Sequence, residues 1–227
     1  MNIAVILAAG QSQRLGKIDK IFLKIKNRPL IFYTIQQFEK NPNIKKIILV
    51  VRKKKTKEIN YLIRKYNFKK ISSVIKGGKE RQDSAFCGLL AAKKTGAGPK
   101  DIILFHNGGN PLVSQKEIDK IIKEARRYKA ALLAQPLKDT LKIEEKSFVK
   151  KTIPRKNLWL AQTPQAIEYS LAEKAFQKAK KDRFYGTDDV SLVERMKKKV
   201  KIVPCSYKNI KITNREDIEI VKKLLKN

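Results

Sequence analysis

The sequence alternates short runs of β-branched residues with longer stretches in which apolar residues recur at helical spacing. Several of the short runs are apolar at consecutive positions, which is typical of strands that are covered on both faces. The predicted strands cover residues 3–7, 46–51, 71–75, 102–106, 131–135 and 200–203. The predicted helices cover residues 29–39, 56–66, 82–94, 115–128, 167–180, 188–198 and 215–225. Because strands and helices alternate, we predict an α/β fold with a doubly wound, mostly parallel, Rossmann-like sheet.

One segment, residues 138–158, interrupts this alternation. Two stretches of alternating polar and apolar residues flank a turn-like sequence at 144–147. This pattern predicts a β-hairpin that projects from the sheet, and we refer to it as the β-arm. A two-stranded hairpin cannot bury both of its faces against its own domain. We therefore expect a partner subunit to cover the β-arm.

The length and composition limit the class of protein. At 227 residues, 42% of them hydrophobic, the chain suits one domain spanning residues 1–227. No apolar run approaches the roughly 18 residues of a membrane span, and the N-terminus lacks a secretory pattern. Cys87 and Cys205 are isolated, without a C-x-x-C pair. These features predict a cytoplasmic protein with no membrane partner.

The charge of the chain is strongly positive. It has 53 lysine and arginine residues against 21 aspartate and glutamate residues, a formal net charge of +32. A nucleic-acid-binding protein is one interpretation. The lysines are spread along the whole chain, however, and no zinc-finger spacing, ribonucleoprotein motif or basic-zipper heptad accompanies them. We therefore favour a lysine-rich surface whose positive field suits anionic substrates, with nucleic-acid binding as the alternative.

The segment after the first predicted strand has the composition of a phosphate-binding loop. Ala8, Ala9 and Gly10 are small, and the cations Arg14 and Lys20 follow. Small residues let backbone N–H groups approach a phosphate, and cations neutralise its charge. The loop matches neither the G-x-x-x-x-G-K-[ST] pattern nor the G-x-G-x-x-G dinucleotide fingerprint. Because ligands of open α/β sheets bind at the carboxyl ends of the strands, we predict a binding site here.

Six further segments carry glycine or polar residues near the predicted strand ends. They are GGKERQDS (77–84), FHNGGNP (105–111), QPLKDT (135–140), AQTPQ (161–165), GTDD (186–189) and NIKIT (209–213). Gly77 and Gly78 allow close backbone contact with a flat ligand. Each feature also has a simpler interpretation: the glycine pair as a turn, Thr187 as part of a helix N-cap, Lys211 as a surface lysine and Arg155 as an exposed charge. Their joint occurrence in this order favours a functional site.

Taken together, these motifs resemble those of the 2-C-methyl-D-erythritol 4-phosphate cytidylyltransferase family, over nearly the whole chain. The resemblance rests on AAGQSQRLG, GGKERQDS, HNGGNPLVS, KDTLK, QTPQ, GTDD and NIKIT. It implies a nucleotidyltransferase fold and the transfer of CMP from CTP to a polyol phosphate in non-mevalonate isoprenoid biosynthesis. It further implies Mg²⁺, bound mainly through the CTP phosphates, and a homodimer that exchanges the β-arm.

The resemblance also implies roles for individual residues. The cations that act on the reacting phosphates would be Arg14, Lys20, Arg155 and Lys211. The nucleotide-binding residues would be Ala8, Ala9, Gly10, Gly77, Gly78, Arg81, Ser84 and Asn107. The acceptor-binding residues would be Asn110, Thr140, Thr163 and Thr187. No metal-ligating residue is predicted.

The HNGGNP segment departs from the family pattern, in which an aspartate and an arginine usually stand where this chain has Asn107 and Asn110. Asn107 keeps a hydrogen bond but binds a metal less strongly, and Asn110 loses a bidentate donor. Three alternatives follow: retained activity, a different acceptor such as ribitol 5-phosphate, or a weak homologue. We favour retained activity because the four cations are present. The attacking phosphate monoester, with a second pKa of about 6, needs no general base, so His106 is predicted to be a packed strand-end residue.

Overall fold

The computed structural model describes residues 1–10 and 19–225. Its strands are β1 Asn2–Ala8, β2 Lys24–Ile25, β3 Arg28–Pro29, β4 Lys46–Val51, β5 Ile71–Lys76, β6 Ile102–Asn107, β7 Ala130–Pro136, β8 Leu141–Glu145, β9 Phe148–Ile153, β10 Trp159–Glu168 and β11 Lys201–Pro204. Its α-helices are α1 Leu30–Lys40, α2 Thr56–Lys65, α3 Arg81–Lys94, α4 Gln115–Tyr128, α5 Tyr169–Lys181, α6 Ser191–Arg195 and α7 Arg215–Leu224. The predicted alternation of strands and helices is confirmed.

Seven strands form the central sheet in the order β11-β7-β10-β6-β1-β4-β5. Within the described ranges, β10 runs antiparallel to β6 and β7, and the other neighbours in this sheet are parallel. The prediction of a mostly parallel sheet is therefore confirmed. The sheet places the carboxyl ends of β1, β4 and β6 side by side, which is where the polar loops of the sequence begin.

Two apolar layers cover the two faces of the sheet. Alternate residues of β1 point to opposite layers: Ala4 and Ile6 pack with α1 and α4, and Ile3 and Val5 pack with α3 and α5. All seven residues of β1 are buried. Because both faces of β1 are buried, residues 3–8 are apolar at every position.

The ends of two predicted helices are wrong. Residues 167 and 168 belong to β10, so the helix predicted from 167 begins at Tyr169. β10 itself was not predicted, because its middle contains Pro164 and polar residues, which argue against a strand. The structure accommodates them at a register shift between Ala161 and Gln165. The helix predicted at 188–198 is limited to Ser191–Arg195.

The β-arm is confirmed as a hairpin of β8 and β9. The backbone N–H of Leu137 donates to the carbonyl of Leu158 at 2.9 Å and closes the root of the β-arm. Beyond the root, almost every side chain is exposed, and Phe148 at the tip is 78% exposed. The β-arm thus leaves apolar surface uncovered within one chain, as the sequence predicted.

Neither cysteine is in a disulfide, and both are half-buried. Burial raises the pKa of the Cys205 thiol to about 11, so this thiol is protonated at neutral pH. In the part of the chain that the structure describes, no helix combines the length and apolarity needed to cross a membrane.

The packing of α3 on the sheet generates a stability prediction. Gly88 of α3 faces β1 so closely that a Cβ there would overlap the side chain of Val5 and lie 3.2 Å from Cγ2 of Val50. Replacing a helical glycine with alanine ordinarily stabilises a protein by about 0.5–1 kcal/mol. Here we expect Gly88→Ala to lower the free energy of unfolding by about 1–3 kcal/mol, because overpacking outweighs the gain in helix propensity.

Urea unfolding of the purified protein measures this change. Gly98→Ala is the matched control, since a Cβ at Gly98 would meet only Oδ2 of Asp101, at 3.8 Å. A stabilised Gly88→Ala protein would show that α3 packs less tightly on β1 than the structure indicates.

Candidate active site

A cavity of about 200 Å³ opens at the carboxyl ends of β1 and β6 and at the N-terminus of α3. The predicted site residues on its wall are Ala8, Ala9, Gly10, Lys20, Gly78, Arg81, Ser84, Asn107 and Lys211. The structure thus brings together residues from four separate segments of the chain. Arg14 lies outside the described residues.

The glycine pair before α3 allows two loops to pack closely. A Cβ on Gly77 would lie 2.5 Å from Cβ of Ala9 and 2.7 Å from Oγ of Ser84. The backbone N–H of Gly78 donates to Oγ of Ser84 at 3.2 Å, and that hydroxyl donates to the carbonyl of Glu80 at 3.1 Å. Any larger residue at 77 would push the loop after β1 away from α3. The glycines therefore define the width of the cavity at this end.

Arg81 is engaged in an ion pair at the cavity wall. Its two terminal nitrogens donate to the carboxylate oxygens of Asp189 at 2.9 and 2.6 Å, and Asp189 is 1% exposed. Burial opposes the charge of Arg81, but the attraction of Asp189 outweighs it, so the pKa of Arg81 is raised. Nε of Arg81 also donates to Oδ1 of Asn107 at 3.4 Å. Arg81 thereby fixes the orientation of Asn107 toward the cavity.

The QTPQ and GTDD motifs are joined by Gln165, which sequence reasoning had not assigned a role. Oε1 of Gln165 accepts from the backbone N–H groups of Asp189 and Val190 at 2.9 and 3.1 Å, and Nε2 donates to Oδ2 of Asp188 at 2.8 Å. Gln165 is 1% exposed. These bonds hold Asp189 where it meets Arg81. Gln165 therefore orients Asp189 without lining the cavity. The QTPQ motif included this residue, but the sequence did not indicate its bonds to residues 188–190.

Two cations are held close together by backbone contacts. Nζ of Lys20 donates to the carbonyl of Ile212 at 3.1 Å, and the backbone N–H of Ile212 donates to the carbonyl of Gly109 at 2.9 Å. The stem of Lys20 crosses Gly109, where a Cβ would lie 3.4 Å from Cε of the lysine. Lys211 precedes Ile212 in the chain, and both Lys20 and Lys211 line the cavity. The prediction that these two lysines share a site is supported by this geometry.

Asn110 is placed differently from the sequence-based expectation. Its side chain is fully buried, and its Nδ2 donates to Oδ1 of Asn209 at 3.5 Å. Nδ2 of Asn209 in turn donates to the carbonyl of Thr163 at 2.8 Å. Asn110 therefore lies in the interior behind the cavity, and a direct contact with an acceptor does not fit this burial. The side chain of Asn110, which is shorter than the arginine of the family pattern, packs inside the protein. There it joins the loop after β6 to the loop that carries Lys211.

The threonines and the arginine of the prediction are distributed over three places. Thr163 is buried, and its Oγ1 accepts from the backbone N–H of Asn107 at 3.2 Å. Thr187 is exposed on the segment before α6. Thr140 and Arg155 are exposed on the β-arm and do not line the cavity of their own chain. The guanidinium of Arg155 donates to the carbonyl of Lys138.

His106 is confirmed as a packed strand-end residue. It is fully buried, its ring lies 4.9 Å from that of Phe38, and its Nε2 lies 2.9 Å from the carbonyl of Asn110. Burial lowers the pKa of His106 to about 4. The imidazole is therefore neutral at physiological pH, and its Nε2–H group donates a hydrogen bond to the Asn110 carbonyl.

This histidine generates a pH prediction. Because its pKa in the folded state is about 4, below the ordinary value of 6.5, folding favours the neutral ring. The stability that it contributes is complete above pH 6.5 and is lost as the pH falls toward 4. We expect the free energy of unfolding to fall by about 2 kcal/mol between pH 7 and pH 4.5 through this group.

Urea unfolding at both pH values tests this expectation. Glutamine at position 106 keeps a hydrogen-bond donor for the Asn110 carbonyl but does not titrate. The free energy of unfolding of His106→Gln should therefore fall by about 2 kcal/mol less between the two pH values than that of the unsubstituted protein. Equal losses in the two proteins would assign the pH dependence to other groups.

Comparison with known proteins agrees with the geometry of the site. The family model described as 2-C-methyl-D-erythritol 4-phosphate cytidylyltransferase matches residues 2–227. A protein of that name from Desulforamulus reducens is 43% identical over 227 residues, covering 99% of this chain and 95% of its own. One from Shouchella clausii is 41% identical over 224 residues, covering 98% and 96%.

Solved structures give the same result. The 4-diphosphocytidyl-2C-methyl-D-erythritol synthase of Anaerococcus prevotii superposes with a TM-score of 0.83 at 32% identity, covering 100% of this chain and 96% of its own. The 2-C-methyl-D-erythritol 4-phosphate cytidylyltransferase of Francisella tularensis also gives a TM-score of 0.83, at 30% identity and 98% coverage of both chains. This chain is therefore a nucleotidyltransferase that belongs to the 2-C-methyl-D-erythritol 4-phosphate cytidylyltransferase family.

Proposed function

We propose that the chain transfers CMP from CTP to 2-C-methyl-D-erythritol 4-phosphate, forming 4-diphosphocytidyl-2-C-methyl-D-erythritol and pyrophosphate. The observation that carries this proposal is the convergence of Lys20 and Lys211 on one cavity with the glycine loop of Gly77 and Gly78. Membership of the family supports the substrates, and the reaction is a step of non-mevalonate isoprenoid biosynthesis. The alternative of a nucleic-acid-binding protein has no comparable support. Residues 1–227 would form one catalytic domain in the cytoplasm.

In this reaction a phosphate oxygen of the acceptor attacks the α-phosphorus of CTP. A new P–O bond forms there as the bond between the α-phosphorus and the bridging oxygen breaks, and pyrophosphate leaves with the electron pair of that bond. The acceptor phosphate is ionised at neutral pH, so no general base is required. His106 takes no part, because it is buried and neutral.

The chief barrier is the repulsion between two polyanions. Fixed cations lower it by neutralising charge that is concentrated in the transition state, and they need no reorganisation when the reaction occurs. Lys20, together with Arg14 from the same loop, would bind the CTP phosphates. Lys211, which lines the same cavity, would bind the acceptor phosphate. Cytosine would lie in the cavity against Gly78 and Ser84, which line it.

The residues present fit a magnesium ion carried by the nucleotide. Among the described residues, no group of three or more acidic, histidine or cysteine side chains is arranged to hold a metal. The backbone N–H of Glu80, on the cavity wall, donates to Oδ2 of Asp83 at 3.0 Å in the cap of α3. Asn107 lines the cavity, and its Oδ1, which also accepts from Nε of Arg81, is the side-chain atom that would contact the ion. Mg²⁺ binds through substrate phosphates and few protein ligands, and it neutralises charge on those phosphates.

The β-arm would complete the site of a second subunit. Leu141, Ile143, Phe148 and Val149 are 43–78% exposed in one chain. An exchanged arm in a homodimer would cover this apolar surface. Thr140 and Arg155 lie on the same arm and do not reach the cavity of their own chain. They would bind the acceptor phosphate in the partner's site.

The proposed function generates a prediction for Lys211. We expect Lys211→Gln to lower kcat/KM for the acceptor by about 100-fold, because a fixed cation at the reacting phosphates is lost. The measurement is pyrophosphate release from CTP, Mg²⁺ and 2-C-methyl-D-erythritol 4-phosphate. Lys208→Gln removes an exposed lysine three residues away that does not line the cavity, and it should retain activity.

The same assay separates the alternatives. Release with ribitol 5-phosphate instead of the erythritol substrate would reassign the acceptor. No release with either acceptor would contradict the proposed function. Equal effects of the two lysine variants would show that overall charge, rather than the position of Lys211, controls the rate.

Asn107 generates a prediction about the metal. A carboxylate binds Mg²⁺ more strongly than an amide does, so we expect Asn107→Asp to lower the Mg²⁺ concentration for half-maximal rate by several-fold. A Mg²⁺ titration at saturating CTP measures this. Asn60→Asp makes the same change of charge on α2, away from the cavity, and should leave the titration unchanged. An unchanged Mg²⁺ requirement in Asn107→Asp would show that residue 107 does not approach the ion.

A further inference from the structure

Tyr207 makes two contacts with the root of the β-arm. It lies between β11 and Lys211, and its hydroxyl donates to the carbonyl of Pro136 at 2.7 Å. Nζ of Lys138 lies 3.5 Å from the centroid of its ring. Other lysine ammonium groups near aromatic rings in the described part of the chain lie 4.8–5.9 Å from the centroids. One side chain thus holds both residue 136 and residue 138, at a distance that indicates a specific cation–π contact.

Lys138 also contacts the β-arm, so it links Tyr207 to the arm. Its backbone carbonyl accepts from the guanidinium of Arg155, two residues after the returning strand β9 ends. The backbone bond between Leu137 and Leu158 closes the same root. A shift of Lys138 would therefore shift Arg155 as well.

The loop on the other side of Tyr207 is anchored independently of its ring. The backbone N–H of Ser206 donates to Oε1 of Glu117 at 2.6 Å, and its carbonyl accepts from Nε2 of Gln135 at 2.7 Å. The side chain of Asn209 bonds the carbonyl of Thr163 at 2.8 Å. Loss of the Tyr207 ring would therefore loosen Lys138 and the arm beyond it, without unfolding the loop that carries Lys211.

We propose that Tyr207 is a positioning residue that fixes the root of the β-arm to the loop carrying Lys211. This inference rests on the proposed function, in which Lys211 acts in its own cavity and Arg155 acts in the partner's. Tyr207 then connects the two acceptor sites of a dimer, since it touches the loop of one and the arm of the other. Its effect is on the placement of Arg155 and not on the reacting atoms.

The first test measures the arm directly and does not depend on catalysis. Limited trypsin digestion of the full-length protein follows cleavage at the exposed arm residues Lys150 and Lys151. We expect Tyr207→Leu to accelerate this cleavage several-fold, and Tyr207→Phe, which keeps the ring over Lys138, to restore most of the protection. Tyr61→Leu is the matched control, because Tyr61 is 60% exposed on α2 and its ring lies 5.9 Å from Nζ of Lys65.

The second test is kinetic. We expect Tyr207→Leu to raise the KM for 2-C-methyl-D-erythritol 4-phosphate about three- to tenfold, with kcat, the KM for CTP and the urea midpoint close to those of the unsubstituted protein. Lys138→Met should reproduce the effect, and the double variant should be no worse than either single variant.

The outcomes decide the inference separately from the proposed function. Unchanged cleavage of the arm in Tyr207→Leu would overturn the inference. An equal rise of the KM values for CTP and for the acceptor, together with a lower urea midpoint, would also overturn it, because a residue with a merely structural role gives that result. If the unsubstituted protein transfers no CMP, the proposed function fails, and the digestion experiment still decides whether Tyr207 holds the arm.

Discussion

The site depends on a short chain of backbone contacts that joins three loops. The carbonyl of Gly109 accepts from the N–H of Ile212, and the carbonyl of Ile212 accepts from Nζ of Lys20. Like charges in a cavity repel each other, so two lysines gather at one point only where the fold holds them there. The contacts do this with backbone groups, whose positions are set by β6 and by the loop after β11. Gly109 permits the approach because a side chain at that position would meet the stem of Lys20.

The architecture was predictable because both physical signals behind it are local. The strands of the parallel part are continuous apolar runs, and the helices show apolar residues at helical spacing. β10 was missed because its central residues are polar. Gln165 and Thr163 are buried there through their bonds to Asp188, Asp189 and Asn107, and such long-range partners leave no periodicity in the sequence. The helix predicted from residue 167 began two residues too early. Residues 167 and 168, the last two of β10, are compatible with either a strand or a helix.

The candidate site was predictable as a set of segments but not as a set of contacts. Four of the predicted segments converge on one cavity, since the carboxyl ends of neighbouring strands meet, whereas QPLKDT, AQTPQ and GTDD do not line it. The orientation of each side chain within a loop depends on its packing. Asn110 illustrates the difference, because its position in the motif indicated the acceptor, yet its amide is buried against Asn209. Arg81 lies on the cavity wall as expected, but its terminal nitrogens are directed to Asp189, which no local pattern could reveal.

The excess of positive charge acts differently from the cations of the site. With 53 basic and 21 acidic residues, one-to-one pairing would leave 32 basic residues without an acidic partner. Several of the acids are used at structural points, such as Asp101 with the N-terminal amine and Asp182 with Arg195 and Lys178. Surface charges attract anions over about a Debye length, roughly 8 Å at physiological salt, and this raises the local concentration of any anion without discrimination. In the proposed reaction, selection between nucleotide and acceptor would come from the lysines that line the cavity, Lys20, whose Nζ is hydrogen-bonded to the carbonyl of Ile212, and the neighbouring Lys211.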